Sequence, residues 1–188
     1  MSFIQRRTFC QLALAALPST LIAQIPNSIS PAKPVRVPAG ADREEKQRAV
    51  GVSSTTYKVL TQETGGALFV MEQGNHKKGG PSRHLHHGVD ELFFSLEGEY
   101  IVEIGQESFH LKAGDCVLDP REIPHAWAFV GDSPGRLLIS FAPAGKMEEF
   151  FNERQKLGIK PGVYSTKDDA ALLHAFGMEY VGPPLVLE

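Results

Sequence analysis

Between positions 55 and 143 the sequence consists of short runs of β-branched, aliphatic and aromatic residues separated by glycine and proline. The breaks recur about every 8 to 12 residues, which is typical of all-β sandwiches and barrels. Two breaks, Glu97-Gly98-Glu99 and Gly105-Gln106, are short enough for tight hairpins. The runs that we predict to be strands are TTYKVLTQ, ALFVMEQG, ELFFSLEG, EYIVEIG, ESFHLKAG, DCVLDP, HAWAFV and RLLISFAP.

Four residues inside this region have side chains that bind metal ions. His84 and His86 are two positions apart, so on an extended strand both imidazoles point to the same face. Glu91 belongs to the next predicted strand, and His125 follows a turn of the kind that Pro120 favours. Three imidazoles and one carboxylate suit one divalent transition metal ion, Fe, Mn, Ni, Co, Cu or Zn, rather than Ca or Mg. A polar cluster that holds no metal is the alternative.

These positions resemble the two sequence motifs of the cupin superfamily. The first motif, His-x-His, four residues, Glu, six residues and Gly, is matched by His84, His86, Glu91 and Gly98. The second motif, Gly, five residues, Pro-x-Gly, two residues, His, three residues and Asn, is matched by Gly114, Pro120 and His125. The resemblance covers roughly residues 55 to 142 and is to small single-domain bacterial cupins of the quercetinase type. It implies an all-β jelly-roll barrel, also called a double-stranded β-helix, followed here by one or two C-terminal helices.

Three positions depart from the pattern. Lys78 stands where the family has a leading glycine, although Gly79 and Gly80 are beside it. Glu122 replaces the glycine of the second motif, and Phe129 replaces its asparagine. None of these changes removes a ligand, so we expect them to affect turn geometry and pocket polarity rather than metal binding.

Alternation along the strands also predicts the walls of a substrate pocket. The residues that share a face with Glu91 or His125 are Phe93, Ser95, Trp127 and Phe129. They would make the pocket aromatic and apolar, fit for a planar or hydrophobic molecule. The alternative is that they are simply core residues of the barrel.

Such a site leaves one or two coordination positions for a substrate oxygen atom and O2. The resemblance to quercetinase-type enzymes implies an oxidoreductase, a dioxygenase that acts on a small aromatic or enolic substrate. Glu91 would then be both a ligand and the catalytic base that takes a proton from a phenolic or enolic hydroxyl group. A non-redox isomerase or lyase, and a metal- or ligand-binding protein without turnover, stay open as alternatives.

The composition indicates which partners to expect. The net charge is -3 and no basic cluster is present, which argues against nucleic-acid binding. A small organic molecule is therefore the expected partner. The resemblance to small cupins also implies a homodimer.

Residues 1–41 are interpreted as a signal peptide followed by a proline-rich linker. Arg6 and Arg7 precede an apolar stretch from Leu12 to Ala23, which is shorter than the roughly 20 residues of a membrane span. The paired arginines resemble a twin-arginine signal, so we expect export to the periplasm or beyond and no span in the mature protein. Cleavage could follow Ala23 or Ala41, and an amphipathic helix packed on the domain is the alternative interpretation.

Residues 42–188 are predicted to form the cupin domain, with its core at about 55–142. Asp42 could cap one or two helical turns within 42–50. After the strands, the spacing predicts a helix that buries Met147, Phe150, Phe151, Arg154 and Leu157 and stops at Gly158. A second helix is predicted from Thr166 to Ala175, capped by Thr166 with Asp168 and Asp169 in its first turn, and then an extended tail.

We expect these C-terminal segments to pack on the outside of the barrel or on a partner subunit. Cys116, within the apolar run Cys116-Val117-Leu118, is predicted to be a small buried hydrophobic residue.

Overall fold

The computed structural model describes residues 33–50, 53–157 and 166–187, with side chains from residue 170 onward in the last range. Two antiparallel sheets face each other in this part of the chain. The strands are β1 (Arg48–Val50), β2 (Ser53–Val59), β3 (Phe69–Asn75), β4 (Arg83–His86), β5 (Asp90–Glu97), β6 (Tyr100–Ile104), β7 (Glu107–Leu111), β8 (Cys116–Asp119), β9 (His125–Phe129), β10 (Gly135–Ala142) and β11 (Met178–Gly182). The first sheet has the order β1-β2-β3-β10-β5-β8, and the second has the order β11-β4-β9-β6-β7.

All eight predicted runs contain a strand, so the all-β prediction is confirmed. Between the two sheets lies a continuous apolar core, because inward and outward side chains alternate along most strands. The strand β5 shows this clearly: Glu91, Phe93 and Ser95 are buried, while the residues between them are partly exposed. This alternation decides which side of the sheet the ligand Glu91 faces.

One of the two predicted hairpins is wrong. Gly105-Gln106 does join the paired strands β6 and β7, but Gly98 joins β5 of the first sheet to β6 of the second. Gly98 adopts φ +83°, and a Cβ atom there would lie 2.8 Å from the Cα atom of Gly135. The positive φ and the close approach of Gly135 both require glycine at this position. The chain crosses between the two sheets here.

The segment 42–50 was predicted to contain helical turns, and this prediction is wrong. Asp42 does cap a turn, since its Oδ1 accepts hydrogen bonds from the backbone nitrogens of Glu44 (2.9 Å) and Lys46 (3.2 Å). Its Oδ2, however, accepts from the backbone nitrogen of Tyr57 on β2 (2.8 Å) and from Arg48 Nε (3.0 Å). These contacts hold the segment along β2, so the chain continues as the strand β1.

Two helices follow the barrel, α1 (Met147–Lys156) and α2 (Thr166–Ala175). The helix α1 buries four of the five residues predicted, Met147, Phe150, Phe151 and Arg154, whereas Leu157 is 62% exposed just beyond its end. The helix α1 packs on the barrel as one of the two predicted alternatives has it, and Phe151 contacts the rings of Phe69 and Phe141 from the core. The predicted stop at Gly158 lies outside the described residues. The predicted cap at Thr166, with Asp168 and Asp169, depends on side chains that the structure does not describe.

The extended tail is confirmed as β11, which pairs with β4. Cys116, by contrast, is exposed, so its predicted burial is wrong. The reason is that β8 is an edge strand whose outer face carries Cys116 and Leu118 while Asp119 points inward. No helix of the described residues is long and apolar enough to cross a membrane.

Candidate metal centre and adjoining cavity

Three strands bring the predicted ligands together between the sheets. The strand β4 carries His84 and His86, β9 carries His125 opposite His84, and β5 of the other sheet carries Glu91. Their ligand atoms all lie within 4.8 Å of one another. All four side chains are buried, with His125 completely enclosed. The structure therefore brings together the whole set that the sequence spacing indicated.

Neighbouring groups orient two of the imidazoles. The Nδ1 atom of His84 lies 2.8 Å from the carbonyl oxygen of Ser82, which can only accept, so Nδ1 donates and Nε2 is left for a ligand. The Nδ1 atom of His125 lies 2.7 Å from Asp119 Oδ2, and its Nε2 atom faces Glu91 Oε2 at 3.2 Å. His86 Nε2 approaches the same Glu91 oxygen at 3.0 Å.

Asp119 lies beside the ligand His125 and was not among the predicted site residues. It ends β8 opposite Glu91 of β5, and its side chain is 2% exposed. A carboxylate that holds the far nitrogen of a ligating histidine fixes the ring orientation and raises its basicity. The available signal was an acid at the end of an apolar run, immediately before Pro120, but nothing in that spacing shows that the acid is buried.

The buried charges influence one another strongly. Burial and the neighbouring His125 and His86 lower the pKa of His84 well below its ordinary value. Burial also opposes protonation of His125, but its contacts with Asp119 and Glu91 outweigh this and raise its pKa to about 9. Burial would raise the pKa of Glu91, yet the contacts with His125 and His86 hold it well below the usual range. Burial raises the pKa of Asp119, against the effect of His125.

The donor set fits a divalent transition metal ion. His86 Nε2, His125 Nε2 and Glu91 Oε2 are buried, and none of them has a hydrogen-bond partner of proper geometry among the described residues. Buried polar atoms left in this way cost free energy unless something satisfies them. Their convergence, together with the imidazole and carboxylate chemistry, is what Fe, Mn, Co, Ni, Cu or Zn requires of a protein.

A cavity opens from this cluster towards α1. Trp127, one of the four predicted pocket residues, lies in its wall. The other lining residues are Val50, Ser53, Met71, Gln73, Gly79, Gly80, Pro81, Ser82, His84, His86, Glu91, Ile139, Phe141, Met147, Phe150, Phe151, Arg154 and Leu173. The wall is therefore mostly apolar, as expected, but more than half of its residues come from segments that the strand pattern did not suggest.

Phe93, Ser95 and Phe129 take other positions and are not among the lining residues. Phe93 is fully buried, with its ring centroid 5.9 Å from that of His125. Ser95 is also fully buried and donates to the carbonyl oxygen of Gly98 (3.3 Å). Phe129 packs on Tyr100 (5.4 Å between centroids) at the end of the barrel away from the ligands. The alternative interpretation, that these three residues are core residues of the barrel, describes their surroundings.

The departures from the motif pattern also have structural explanations. Glu122 adopts φ +66°, the left-handed conformation that glycine favours, and its backbone nitrogen donates to the carbonyl oxygen of His86 (2.9 Å). The turn before His125 thus keeps its shape at some conformational cost. Gly80 fits only as glycine, because a Cβ atom there would lie 1.7 Å from the carbonyl oxygen of Trp127.

Residues 67–141, which include all four ligands and most of both sheets, match the family model described as a cupin domain. Over these residues the barrel is similar to a cupin domain. An uncharacterized protein of Methanocaldococcus jannaschii is 29% identical over 66 residues, which are 35% of this chain and 53% of that protein. The chain thus spans about half the length of the curated relative it matches.

Two solved structures to which the chain is similar come from bacteria. KdgF from Halomonas sp. is 19% identical, with a TM-score of 0.47 over 53% of this chain and 87% of that one. An RmlC-like cupin from Shewanella frigidimarina is 20% identical, with a TM-score of 0.45 over 60% of this chain and 96% of that one.

Proposed function

We propose that this cupin is a metal-dependent dioxygenase that acts on a small aromatic or enolic organic molecule. The observation that carries the proposal is the buried set of three histidines and one glutamate at the wall of a mostly apolar cavity. The apolar wall suits an organic substrate body, and the ligand cluster suits the oxygen atoms of that substrate.

His84, His86, Glu91 and His125 would hold the metal ion. A redox-capable ion in this place would bind substrate oxygen atoms, make their protons more acidic and provide a position for O2. Glu91 would be a ligand and also the base whose Oε2 atom receives the hydroxyl proton. Asp119 keeps the ring of His125 oriented, and Trp127, Phe141 and the face of α1 exclude water from the reacting end.

The proposal is tested on protein purified without chelator, by elemental analysis and by oxygen uptake with a panel of flavonols and other enolic phenols. Dioxygenase activity predicts about one Fe, Mn, Co, Ni or Cu ion per chain together with substrate-dependent oxygen uptake. The variant His86→Ala should lose both the metal and the uptake. The matched control His110→Ala, an exposed histidine that pairs with Glu99 at 2.8 Å, should retain both.

Other outcomes would contradict the dioxygenase proposal. Metal binding with anaerobic turnover, equally good with Zn, would favour an isomerase or lyase that uses the ion only to polarise the substrate. Tight retention of a ligand without any product would favour a binding protein. Protein that holds no metal before or after reconstitution would leave the catalytic proposal without support.

We further propose that the chain is exported through a twin-arginine signal and that the mature protein is a homodimer. The support is the sequence pattern at Arg6 and Arg7, which lies outside the described residues, and the resemblance to small cupins. Replacing Arg6 and Arg7 by lysine should keep the protein in the cytoplasmic fraction. Light scattering on the exported protein should give twice the mass of one chain, and a monomer would refute the dimer.

A further inference from the structure

The outer face of the first sheet is apolar over the strands β10, β5 and β8. Alternation along these strands directs one set of side chains away from the core, and six of these side chains are apolar. They are Leu92, Phe94, Leu96, Cys116, Leu118 and Leu138. Among the described residues, none of the six belongs to the core between the sheets or packs against it. Leu118 is 55% exposed and Leu96 is 36% exposed.

Cross-strand pairing makes these side chains one continuous surface, which we call the outer apolar patch. Phe94 is paired with Leu138 of β10 on one side and with Cys116 of β8 on the other. Two residues earlier on β5, Leu92 is paired with Leu118 of β8. The Cβ atoms of directly opposite residues on one face of a sheet are about 5 Å apart, so these side chains contact each other. The patch therefore spans three strands without a polar gap at its centre.

The neighbouring part of the same outer face is covered. Val70 and Glu72 of β3 alternate with core residues and point away from the core, yet each is only 8% exposed. Glu72 is held between Lys58, whose Nζ atom lies 3.3 Å from Glu72 Oε2, and Arg136, whose Nε atom lies 2.8 Å from Glu72 Oε1. The described residues thus cover the outer face at β3 and leave it open at β5 and β8.

The size of the outer apolar patch matches the centre of a protein interface. Leu92 and Leu96 are about 14 Å apart along β5 and the three strands span about 10 Å, so with side-chain radii added the patch covers roughly 300 to 400 Å². The largest apolar patches on monomeric proteins are about this size and are often binding sites. A stable dimer buries about 800 Å² on each partner, with an apolar centre and a polar rim, so the patch and its border together supply enough area.

Ion pairs border the patch on two sides. Arg121 Nη2 lies 2.8 Å from Asp90 Oδ2 where β5 begins, and Arg136 pairs with Glu72 where β10 begins. Because both borders contain acids and bases, a second copy related by a two-fold rotation can place charges of opposite sign against each other. The face of a sheet also has the shape that another sheet covers, since packed sheets lie about 10 Å apart with their strands within about 30°. Charge and shape thus both favour a second copy of the chain as the partner.

We propose that two copies of this chain dimerise through the outer apolar patch, with the first sheet of one copy packed face to face on the first sheet of the other. The contact is isologous, so the patch of each copy meets the same patch of its partner. The strand β5 then carries the ligand Glu91 on its inner side and the interface on its outer side. The inference rests on the homodimer proposed above and names its surface, whereas the dioxygenase proposal does not enter it.

The test compares a charge placed on the patch with a charge placed on the other sheet. Sedimentation velocity of the purified chain over the micromolar concentration range gives the Kd of the dimer. Leu118→Lys should raise this Kd at least about a hundredfold, because the interface would bury an unpaired ammonium group from each copy. Phe109→Lys is the matched control: Phe109 is 36% exposed on β7, an edge strand of the second sheet, and the variant should dimerise like the unaltered protein.

A second variant and a chemical probe make the result specific. Leu96→Lys changes another exposed residue of the patch and should also weaken the dimer, while circular dichroism should show that every variant keeps its fold. Cys116 reports on the patch directly, because alkylation of its thiol is followed by mass spectrometry of the peptide that contains it. In the unaltered protein this alkylation should become slower as the protein concentration rises. In Leu118→Lys the rate should not depend on concentration.

The proposal is overturned if the unaltered chain is a monomer at every concentration, or if Leu118→Lys and Leu96→Lys dimerise like Phe109→Lys. It is also overturned if Phe109→Lys alone loses the dimer, since the interface would then lie on the second sheet. A monomer that sediments with phosphatidylcholine vesicles would overturn it too and assign the patch to a lipid surface.

These failures are distinguishable from failure of the other proposals. Dimers that Leu118→Lys leaves intact would refute only the surface proposed for the interface. A monomeric unaltered chain would refute the homodimer as well. Oxygen uptake tests the dioxygenase proposal separately, and neither sedimentation result changes its outcome.

Discussion

At the scale of single residues, the centre depends on an acid that is not itself a ligand. Asp119 and His125 form a buried pair at 2.7 Å, and the pair is formed across the two sheets, since Asp119 is on β8 and His125 on β9. The Asp119 carboxylate lies beside Nδ1, and the Nε2 atom of His125 faces the other ligands, 3.2 Å from Glu91 Oε2. A carboxylate in this position can orient the imidazole towards an ion.

Replacing this acid should weaken metal binding without removing a ligand. Asp119→Asn has the same shape but loses the charge that makes His125 more basic, so we expect the metal Kd to rise about tenfold to a hundredfold. Competition with a chromophoric chelator measures the change. Asp132→Asn, which alters an exposed acid paired with Lys78, is the control and should leave the Kd unchanged. An unaltered Kd in Asp119→Asn would show that the pair does not support the site.

At the scale of elements, the segment 42–50 before β2 and the helix α1 are bonded to the barrel and to each other. Arg48 lies over the ring of Tyr57 (3.9 Å), and its Nη1 atom donates to Asn152 Oδ1 of α1 (3.3 Å). The hydroxyl of Tyr57 donates to the same Asn152 oxygen (3.2 Å). Asp42 completes this network through Arg48 and the backbone of Tyr57. The network fixes two of the segments that form the cavity wall.

The Asp42 carboxylate gives this network a dependence on acid pH. Burial raises its pKa, but hydrogen bonds from Tyr57 and Arg48 lower it more, so the folded-state pKa lies below the ordinary value of 3.8. Such a group stabilises the fold above its unfolded-state pKa, and this stability is lost as the pH falls through the folded-state pKa. We therefore expect Asp42→Asn to lower the free energy of unfolding by about 3 kcal/mol at pH 7, and we expect this difference to shrink as the pH falls below 3.8 through the folded-state pKa.

Urea unfolding at a series of pH values measures this difference. Glu45→Gln, an exposed neighbour in the same segment, should change stability little at any pH. A destabilisation by Asp42→Asn that stays constant from pH 7 to pH 3 would show that the effect is not due to the charge.

The apolar face of α1 should contribute to both stability and binding. Phe151 contacts the rings of Phe150, Phe69 and Phe141, so Phe151→Ala should leave a cavity and lower the free energy of unfolding by about 3 to 5 kcal/mol. Leu157→Ala, just beyond the end of the same helix and 62% exposed, should cost less than about 0.5 kcal/mol. Chemical denaturation compares the two variants. Equal effects would mean that α1 does not pack on the barrel.

At the scale of the whole molecule, the metal ligands connect the two sheets. His84, His86 and His125 come from the second sheet and Glu91 from the first. An ion that binds the folded chain and not the unfolded one stabilises it, by about 2.7 kcal/mol when its concentration is 100 times the Kd. For a chain of this size we expect a chelator to lower Tm by roughly 5 to 10 °C.

Differential scanning calorimetry with and without chelator checks this effect. The variant His86→Ala should have a lower Tm than the unaltered protein both with and without chelator. The variant His110→Ala should respond to the chelator like the unaltered protein. A Tm that the chelator does not change in the unaltered protein would indicate that no ion links the sheets.

The sequence by itself determined eight of the eleven strands in the described residues, and the ligand set. Alternation and the glycine and proline breaks are local properties, so they located all eight predicted strands, and the spacing of His84, His86, Glu91 and His125 identified the cluster that the fold assembles. It also indicated which residues of α1 are buried, since a helical period is equally local.

Only the tertiary structure decided what surrounds the ligands. Whether Gly98 makes a hairpin or a crossing, and whether Asp119 is buried, depends on which strands pair, and that is settled by packing between distant segments. Val50, Gln73 and Arg154 are far apart in the chain and form one wall because α1 packs beside β1. Phe93, Ser95 and Phe129 share the faces of the ligands but lie deeper in the core, because alternation gives the side of a sheet and not the depth of a residue within the barrel.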